Sequence, residues 1–299
     1  MEVTREPLSL TRRKNIQRGF SMLLRSRTAT FGAIVLILLT LAALFAGRIA
    51  PHDPAKQSLP QRLQPPAWSS EGSPDRLLGA DQLGRDILSR LVYGARISLS
   101  VGAAAVLLAT TLGTTVGLVA GYYGKWMDAF LMRTVDMFLA FPFLLMALVF
   151  MATLGAGLRN IIIVLGITGW VPYARLVRGQ VLSLREREFV LAAEAIGVPN
   201  ARMILRHILP NVLASVIVLA SLQIGTVIIS ESSLTFLGLG IPPAIPTWGT
   251  MLATGRDYVT RAWWLATLPG LAIVLTVLAT NFIGDWLRDV LDPTLRGVL

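Results

Sequence analysis

Long uncharged apolar runs limit most strongly what this chain can fold into. A helix needs about 20 apolar residues to cross the roughly 30 Å hydrocarbon core of a bilayer. Four runs meet that length, at 28–47, 97–124, 208–230 and 262–284. The composition agrees, since 54% of the 299 residues are hydrophobic and only 15% are charged. The sequence therefore predicts an integral membrane protein.

A fifth apolar run, 137–174, is long enough for two spans. Only Arg159 interrupts it, beside Gly155 and Gly157, which favours two helices joined by a tight turn. Lipid offers the backbone no hydrogen-bond partners, and no alternating strand pattern is present, so helices must satisfy these groups. The prediction is an all-α protein with six transmembrane helices. The chain divides into a basic amphipathic stretch (1–27), the first span (28–50), an outer segment (51–96), a five-helix core (97–284) and a tail (285–299).

Basic residues predict the orientation. Seven of the first 27 residues are Lys or Arg, and such an excess marks the cytoplasmic side. An even number of spans then places both termini in the cytoplasm. The 1–27 segment is read as a helix on the membrane surface, with a disordered basic tail as the alternative.

The outer segment is rich in proline and ends in a charged motif. Asp81 could cap a helix, and Asp86, which directly follows Arg85, has the i, i+4 spacing of an exposed ion pair with Arg90. A helix that covers the outer mouth of the bundle is favoured over a substrate site.

Two features of the spans have more than one interpretation. Gly113, Gly117 and Gly121 repeat every four residues, which favours close helix packing, although such a smooth face could also line a pathway. Glu231 lies at the edge of the fifth span, where an acid needs a partner. It could be a gate or ion site, or a structural hydrogen-bond acceptor.

The loop between the fourth and fifth spans, 178–210, is the most informative part of the chain. Good helix formers end at Gly197, and Pro199 suits the start of a second helix that runs to Arg206. We therefore expect two short helices at an angle. Ala193 and Gly197 would lie on one face and leave a smooth patch for another protein.

Several chemistries are disfavoured by the residues alone. The chain has no cysteine and no Gly-x-x-x-x-Gly-Lys-Ser/Thr loop, so thiol chemistry and nucleotide binding by that loop are excluded. Neither a catalytic site nor a metal site is predicted. Nucleic-acid binding is not predicted either, because the cations are dispersed along the flanks of the spans and form no single basic stripe. A secondary transporter would need ionisable groups inside the membrane, and Glu231 is the one candidate. An intramembrane hydrolase would need a histidine or paired acids within the spans, but both histidines lie in loops.

The 178–210 loop resembles the cytoplasmic coupling loop of ABC importer permeases, which reads Glu-Ala-Ala, three residues, Gly, nine residues, Ile, one residue, Leu-Pro. Five positions match that pattern: Ala192, Ala193, Gly197, Leu209 and Pro210. Leu191 replaces the glutamate and His207 replaces the isoleucine, so any ionic contact made by that glutamate is absent here.

The resemblance extends along the chain. Segments 78–86, 206–211, 236–240 and 284–293 are similar to the C-type permease of dipeptide and oligopeptide importers, with Ala80 where threonine is common. It implies half of a transporter in a bacterial inner membrane, working by alternating access. The implied partners are a homologous second permease, two ATPase subunits that hold ATP and Mg, and an outer substrate-binding protein; this chain itself would bind no cofactor. Nickel and glutathione importers are similar too, so they are alternative cargoes.

Overall fold

The computed structural model describes residues 22–291. Most of the expected amphipathic segment 1–27 and the end of the tail lie outside these residues. The described chain forms the following helices: α1 Arg27–Leu44, α2 Ile87–Tyr123, α3 Lys125–Leu139, α4 Phe143–Leu154, α5 Leu158–Thr168, α6 Val171–Arg185, α7 Glu188–Ala195, α8 Asn200–Phe236, α9 Trp248–Gly255 and α10 Trp264–Leu291. Shorter helical turns lie at Ala46–Ile49, Leu59–Gln61 and Arg256–Tyr258. Extended pairing between residues 22 and 291 is limited to one antiparallel bridge, Ala80 with Asp86.

Five helical stretches in the described residues are long and apolar enough to cross a membrane. They are α1, α2, α5 together with α6, α8, and α10. A sixth is formed only if α3 and α4 count as one span, and these two helices are bent by 88° relative to each other. The bend falls where Pro142 precedes α4, because proline cannot continue the hydrogen-bond ladder of α3. The exact count of six remains a prediction.

Helix α2 is longer than the sequence indicated. It begins at Ile87 instead of 97, so the expected separate helix at the outer mouth is the first part of this span. Its N-cap is Asp86, whose carboxylate accepts a hydrogen bond from the Ser89 amide, and the expectation that Asp81 caps the helix is wrong. Helix α10 likewise continues beyond 284, to Leu291.

The second coupling helix does not end at Arg206. It is the first part of α8, which continues through a π-helical segment, Met203–Ile208, into the fifth predicted span, so the coupling loop and that span share one helix. The reason is Pro210, which lacks an N–H and whose ring crowds the carbonyl four residues earlier. A wider turn relieves that clash: the Leu209 amide bonds to the Ile204 carbonyl, five residues back.

Helix α2 lies at the centre of the bundle, packed against α1, α5, α6 and α8. We call the end that carries α7 the coupling end, and the end that carries residues 51–86 the far end. One core cluster joins α2, α5 and α8 towards the far end, and another joins α6, α7 and α8 at the coupling end. One side of the coupling helix is therefore packed into the bundle.

Candidate functional site

Helix α7 ends in a defined glycine cap. Gly197 has φ of +76°, a left-handed conformation that glycine adopts without strain. Its amide bonds to the Glu194 carbonyl at 2.9 Å, and the Val198 amide bonds to the Ala193 carbonyl at 3.1 Å. This pair of bonds is the Schellman arrangement, which turns the chain sharply towards α8. Gly197 therefore lies outside the helix and does not share a helical face with Ala193, contrary to the prediction.

The two sides of α7 have different surroundings. Ala193 is 7% exposed and packs with Val190 into the coupling-end core. The opposite side is exposed and apolar, with Phe189 at 45% and Ile196 at 82%, and Ala192 between them. We call Phe189, Ala192 and Ile196 the coupling patch. Their three- and four-residue spacing places them on one helical face, and a pattern search for that spacing could have found them.

Leu209 and Pro210 join the coupling segment to α8. Leu209 packs against the same core cluster as Ala193, while Pro210 is exposed in the first turn after the π segment. Leu191, where the family pattern has a glutamate, is 52% exposed beside the coupling patch. The loop therefore presents an apolar surface and is attached firmly to the span that follows it.

Three contacts of polar or charged side chains join helices at the coupling end. Tyr122, near the end of α2, donates a hydrogen bond to the Asn200 side chain at 2.9 Å, at the start of α8. The guanidinium group of Arg185 lies 5.7 Å from the centre of the Tyr122 ring. Two turns earlier on α6, Arg178 forms a two-point ion pair with Asp128 of α3. Sequence reasoning missed this pair, because its partners are 50 residues apart.

The small-residue stripe of α2 faces α6. A Cβ atom at Gly113 would lie 2.3 Å from the Trp170 carbonyl oxygen, and one at Gly117 would lie 2.6 Å from the Ala174 carbonyl oxygen. At Gly121 it would lie 2.7 Å from the Val181 Cβ. No side chain fits at these distances, so the glycines allow the two backbones to touch. This geometry favours packing over a pathway for this face.

Glu231 lies inside α8 and is 1% exposed. Its carboxylate accepts hydrogen bonds from the hydroxyl groups of Thr235 at 3.0 Å, Ser232 at 3.3 Å and Thr247 at 3.3 Å. Thr247 is the N-cap of α9, in a capping box with Thr250. The acid therefore connects α8 to the start of α9, and these contacts support the structural alternative over a gate.

The charged motif of the far end is buried, whereas an exposed ion pair was expected. Asp81 accepts hydrogen bonds from the amide and the Nε of Arg85, at 2.9 and 2.6 Å. Arg90 lies 3.7 Å from Asp81 and not against Asp86, so the expected i, i+4 pair is wrong. All three side chains are at most 8% exposed.

Asp86 is fully buried and has other neighbours. It accepts from the Ser89 amide at 2.8 Å and the Ser89 hydroxyl at 2.6 Å. The guanidinium group of Arg76 and the imidazole of His52 each lie 3.8 Å from the carboxylate. The motif therefore fixes the outer segment to the start of α2, because each buried carboxylate lies within 3.8 Å of donor groups from both: Arg85 and Arg90 for Asp81, and Arg76, His52 and Ser89 for Asp86. Residues 22–291 contain no group of three His, Cys, Asp or Glu side chains that could hold a metal ion.

Comparison with known proteins decides the family. Residues 113–297 match the family described as binding-protein-dependent transport system inner membrane component. The chain belongs to this family. Residues 15–66 match the N-terminal transmembrane domain of oligopeptide transport permease C. The protein is thus a permease subunit of an ABC importer and a multi-pass inner membrane protein.

Curated relatives resemble the permease over nearly its whole length. The di/tripeptide transport system permease protein DppC of Pseudomonas aeruginosa is 43% identical, over 91% of this chain and 90% of the relative. The dipeptide permease DppC of Alkalihalophilus pseudofirmus is 44% identical over 94% and 90%. The glutathione permease GsiD of Escherichia coli is 44% identical over 91% and 88%.

Solved structures agree on the fold. Two inward-facing crystal forms of the MetNI methionine ABC transporter superpose on the permease with TM-scores of 0.54 and 0.56. They are 20% and 19% identical and cover 67% and 68% of this chain, against 96% and 97% of theirs. At that identity the likeness concerns the fold.

Proposed function

We propose that this permease forms half of the translocation pathway of an importer for di- and oligopeptides. The observation that carries the proposal is 43–44% identity, over more than nine-tenths of the chain, to permeases named for dipeptide and di/tripeptide transport. Glutathione is itself a tripeptide, so the Escherichia coli relative keeps the cargo in the same chemical class. Nickel is the alternative from a different class.

The coupling patch is the proposed contact with an ATPase subunit. Phe189 and Ile196 expose apolar surface at the coupling end, where no part of residues 22–291 covers it. Burial of such surface is favourable by about 25 cal/mol per Å². A groove on an ATPase subunit that closes when ATP binds would therefore bury the coupling patch and displace α7.

Movement of α7 would reach the spans directly. The helix packs against α6 and α8 through Val190 and Ala193, and α8 continues without a break from Asn200 to Phe236. A change from 1:99 to 99:1 between two pathway states needs about 5.5 kcal/mol of differential binding. Two ATP-driven interfaces supply that more readily than one bound peptide, so alternating access would follow nucleotide turnover.

The remaining partners follow from a half-transporter. We propose a homologous second permease, two ATPase subunits that hold ATP and Mg, and an extracytoplasmic substrate-binding protein. With the coupling end in the cytoplasm, both termini lie there too. Exposed cations on the coupling segment, Arg187, Arg202 and Arg206, support this orientation because cytoplasmic loops are enriched in Lys and Arg.

Reconstitution of the whole complex tests the cargo. We expect vesicles that contain both permeases and both ATPases to accumulate labelled di- and tripeptides when ATP and the binding protein are supplied. Nickel should accumulate no faster than in vesicles without protein. Uptake of nickel and not of peptides, under the same conditions, would reject peptide cargo.

Substitutions on α7 test coupling. Ile196→Asp and Ala192→Glu place charge on the coupling patch without touching the core, and we expect loss of ATPase co-purification and of ATP-driven uptake. Leu59→Asp is the matched control, because Leu59 is 68% exposed at the far end. If the patch variants keep both properties at the control's level, docking at α7 is rejected. Ala193→Glu cannot serve here, because it would disrupt the core.

A further inference from the structure

Helix α8 carries a stripe of side chains outside the coupling patch. Its members repeat at intervals of four, four, three, four and four residues and so share one face. From the coupling end to the far end they are Asn211, Ser215, Leu219, Leu222, Thr226 and Ser230. Polar residues occupy both ends of the stripe and leucines its middle. Each polar end lines a cavity, and the two cavities meet at Pro172 of α6.

The coupling-end cavity is the larger and lies between α6, α8 and the end of α10. Its volume is about 670 Å³, and Asn211, Ser215 and Arg288 contribute to its wall. Gln180 of α6 donates a hydrogen bond to Ser215 at 2.6 Å. The carbonyl oxygen of the Gln180 side chain is buried and has no hydrogen-bond partner within residues 22–291.

The far-end cavity has a volume of about 350 Å³. That lies within the roughly 300 to 1,000 Å³ of small-molecule sites. Its polar lining consists of neutral groups, mainly hydroxyls and one amide: Thr168, Tyr173, Gln223, Thr226 and Ser230. Its wall, as the described residues form it, contains no Asp, Glu, Lys or Arg. The hydroxyl of Tyr173 is buried and has no hydrogen-bond partner in the described chain.

An apolar band separates the cavities. Leu219 and Leu222 belong to the wall of the coupling-end cavity, and the polar lining of the far-end cavity resumes at Gln223. Opposite them stands Pro172, which lines both. Apolar constrictions of this kind close a pathway by excluding water. The stripe thus passes from the coupling-end cavity, across two leucines, to a far-end cavity whose wall is mainly apolar and carries five neutral polar side chains. A mostly apolar wall with a few polar groups is the usual lining of a small-molecule site.

Lipid is a poor match for this face. Gln223 is partly exposed and Thr226 is exposed, although both lie within a span. A polar side chain in hydrocarbon without a partner loses its hydrogen bonds to water, which is why such residues face the bundle interior or a water-filled cavity. The polar ends of the stripe therefore favour contact with water and with a hydrated cargo over contact with lipid.

We propose that this stripe of α8 is the permease's wall of the translocation pathway, with the far-end cavity binding the main chain of a short peptide and Leu219 and Leu222 forming the seal. The inference rests on the proposed peptide cargo and names the groups that meet it. Hydroxyl and amide side chains donate to carbonyls and accept from amides, and every peptide carries both. A neutral lining does not discriminate between cationic and anionic side chains.

The absence of cysteine from the chain makes a direct test possible. Ser215→Cys, Thr226→Cys and Ile217→Cys are each introduced into the complete complex in membranes. A water-soluble maleimide is added with and without ATP, and the mass of this chain is measured. Ile217 is the matched control, because it is 49% exposed on α8 but lines neither cavity.

We expect the two stripe cysteines to react at least ~10-fold faster than Ile217→Cys, because the reactive thiolate needs contact with water. A saturating dipeptide should slow the reaction of Thr226→Cys, and free glycine should not. Equal rates at all three positions would overturn the pathway wall. Reaction at Thr226→Cys that no peptide slows would overturn peptide binding in the far-end cavity.

A second variant addresses specificity without a cysteine. Gln223→Leu keeps the volume of the side chain and removes its hydrogen-bonding groups, and we expect a higher KM for several unrelated dipeptides by a similar factor, with folding unchanged. A change confined to one dipeptide would overturn main-chain recognition. Peptide uptake by the unmodified complex is measured in parallel, so failure of the cargo proposal is distinguished from failure of this one.

Discussion

Arg178 and Asp128 lie face to face between α6 and α3, with the guanidinium Nε and Nη2 at 2.5 and 2.6 Å from the two carboxylate oxygens. Such two-point pairs fix orientation as well as distance. This one joins the span that precedes the coupling helix to the helix before the bend. It therefore holds together two elements that are distant in sequence at the coupling end.

We predict that Asp128→Asn destabilises the purified complex by roughly 1 kcal/mol, because a charged hydrogen bond is lost in a partly exposed place. Thermal unfolding in detergent measures the effect. Asp257→Asn is the control, since the Arg256–Asp257 pair is 58% and 68% exposed. A similar fall for both variants would show that the Arg178–Asp128 pair has no special role.

Close packing of α2 on α6 gives a second prediction. Gly113→Ala places a methyl group 2.3 Å from a backbone oxygen that cannot move away by a rotamer change. We expect a loss of about 1 to 3 kcal/mol, the usual result of overpacking. Gly179→Ala, within α6, has nothing within 4 Å of the new Cβ and should be neutral or stabilising. Yields and melting temperatures of the two variants are compared; a stable Gly113→Ala permease would contradict the packing.

The buried charged motif at the far end leads to a third prediction. Asp86→Ala removes the N-cap of α2 and leaves the guanidinium group of Arg76 without its buried carboxylate. Breaking a buried pair from one side typically costs 3 to ~5 kcal/mol, so we expect little folded protein. Asp75→Ala is matched, since Asp75 contacts the same Arg76 and His52 but is 56% exposed. Its effect should stay below about 1 kcal/mol.

Glu231 leads to a fourth prediction, in which two substitutions separate a structural role from a role as a gate or ion site. Glu231→Gln keeps the shape and an acceptor oxygen for Thr235 and Thr247, so a structural acid tolerates it and uptake should continue. Glu231→Ala leaves those hydroxyls without their acceptor, and we expect a loss of roughly 1 to 3 kcal/mol. Stable Glu231→Gln protein without peptide uptake would instead assign the carboxylate to a gate or ion site.

Much of the fold could be predicted because hydropathy is a local property. Each apolar run has its own preference for lipid, so α1, α2, α8 and α10 each overlap one of the predicted runs. Their ends were less accurate. Arg90 and Arg96 suggested that α2 starts after them, but the motif around Asp81 and Asp86 satisfies Arg90 in the interior. Burial of a charge depends on partners that a single segment does not contain.

The candidate site was predicted in its position and not in its orientation. Gly197 and Pro199 marked the break after α7, since glycine and proline act through their own backbone. Which side of α7 faces outward depends on what α6 and α8 place behind it, and they cover Ala193 while leaving Ile196 82% exposed.

The amino-acid sequence by itself determined the membrane class, the helical content, the glycine break and the family resemblance, because these follow from local hydropathy, backbone chemistry and motif spacing. Only the tertiary structure decided that α7 points Ala193 inward, that Arg178 meets Asp128, and that the stripe of α8 lines two cavities on either side of Leu219 and Leu222. Those relationships exist between helices, and their energies depend on distances that only the packed chain sets.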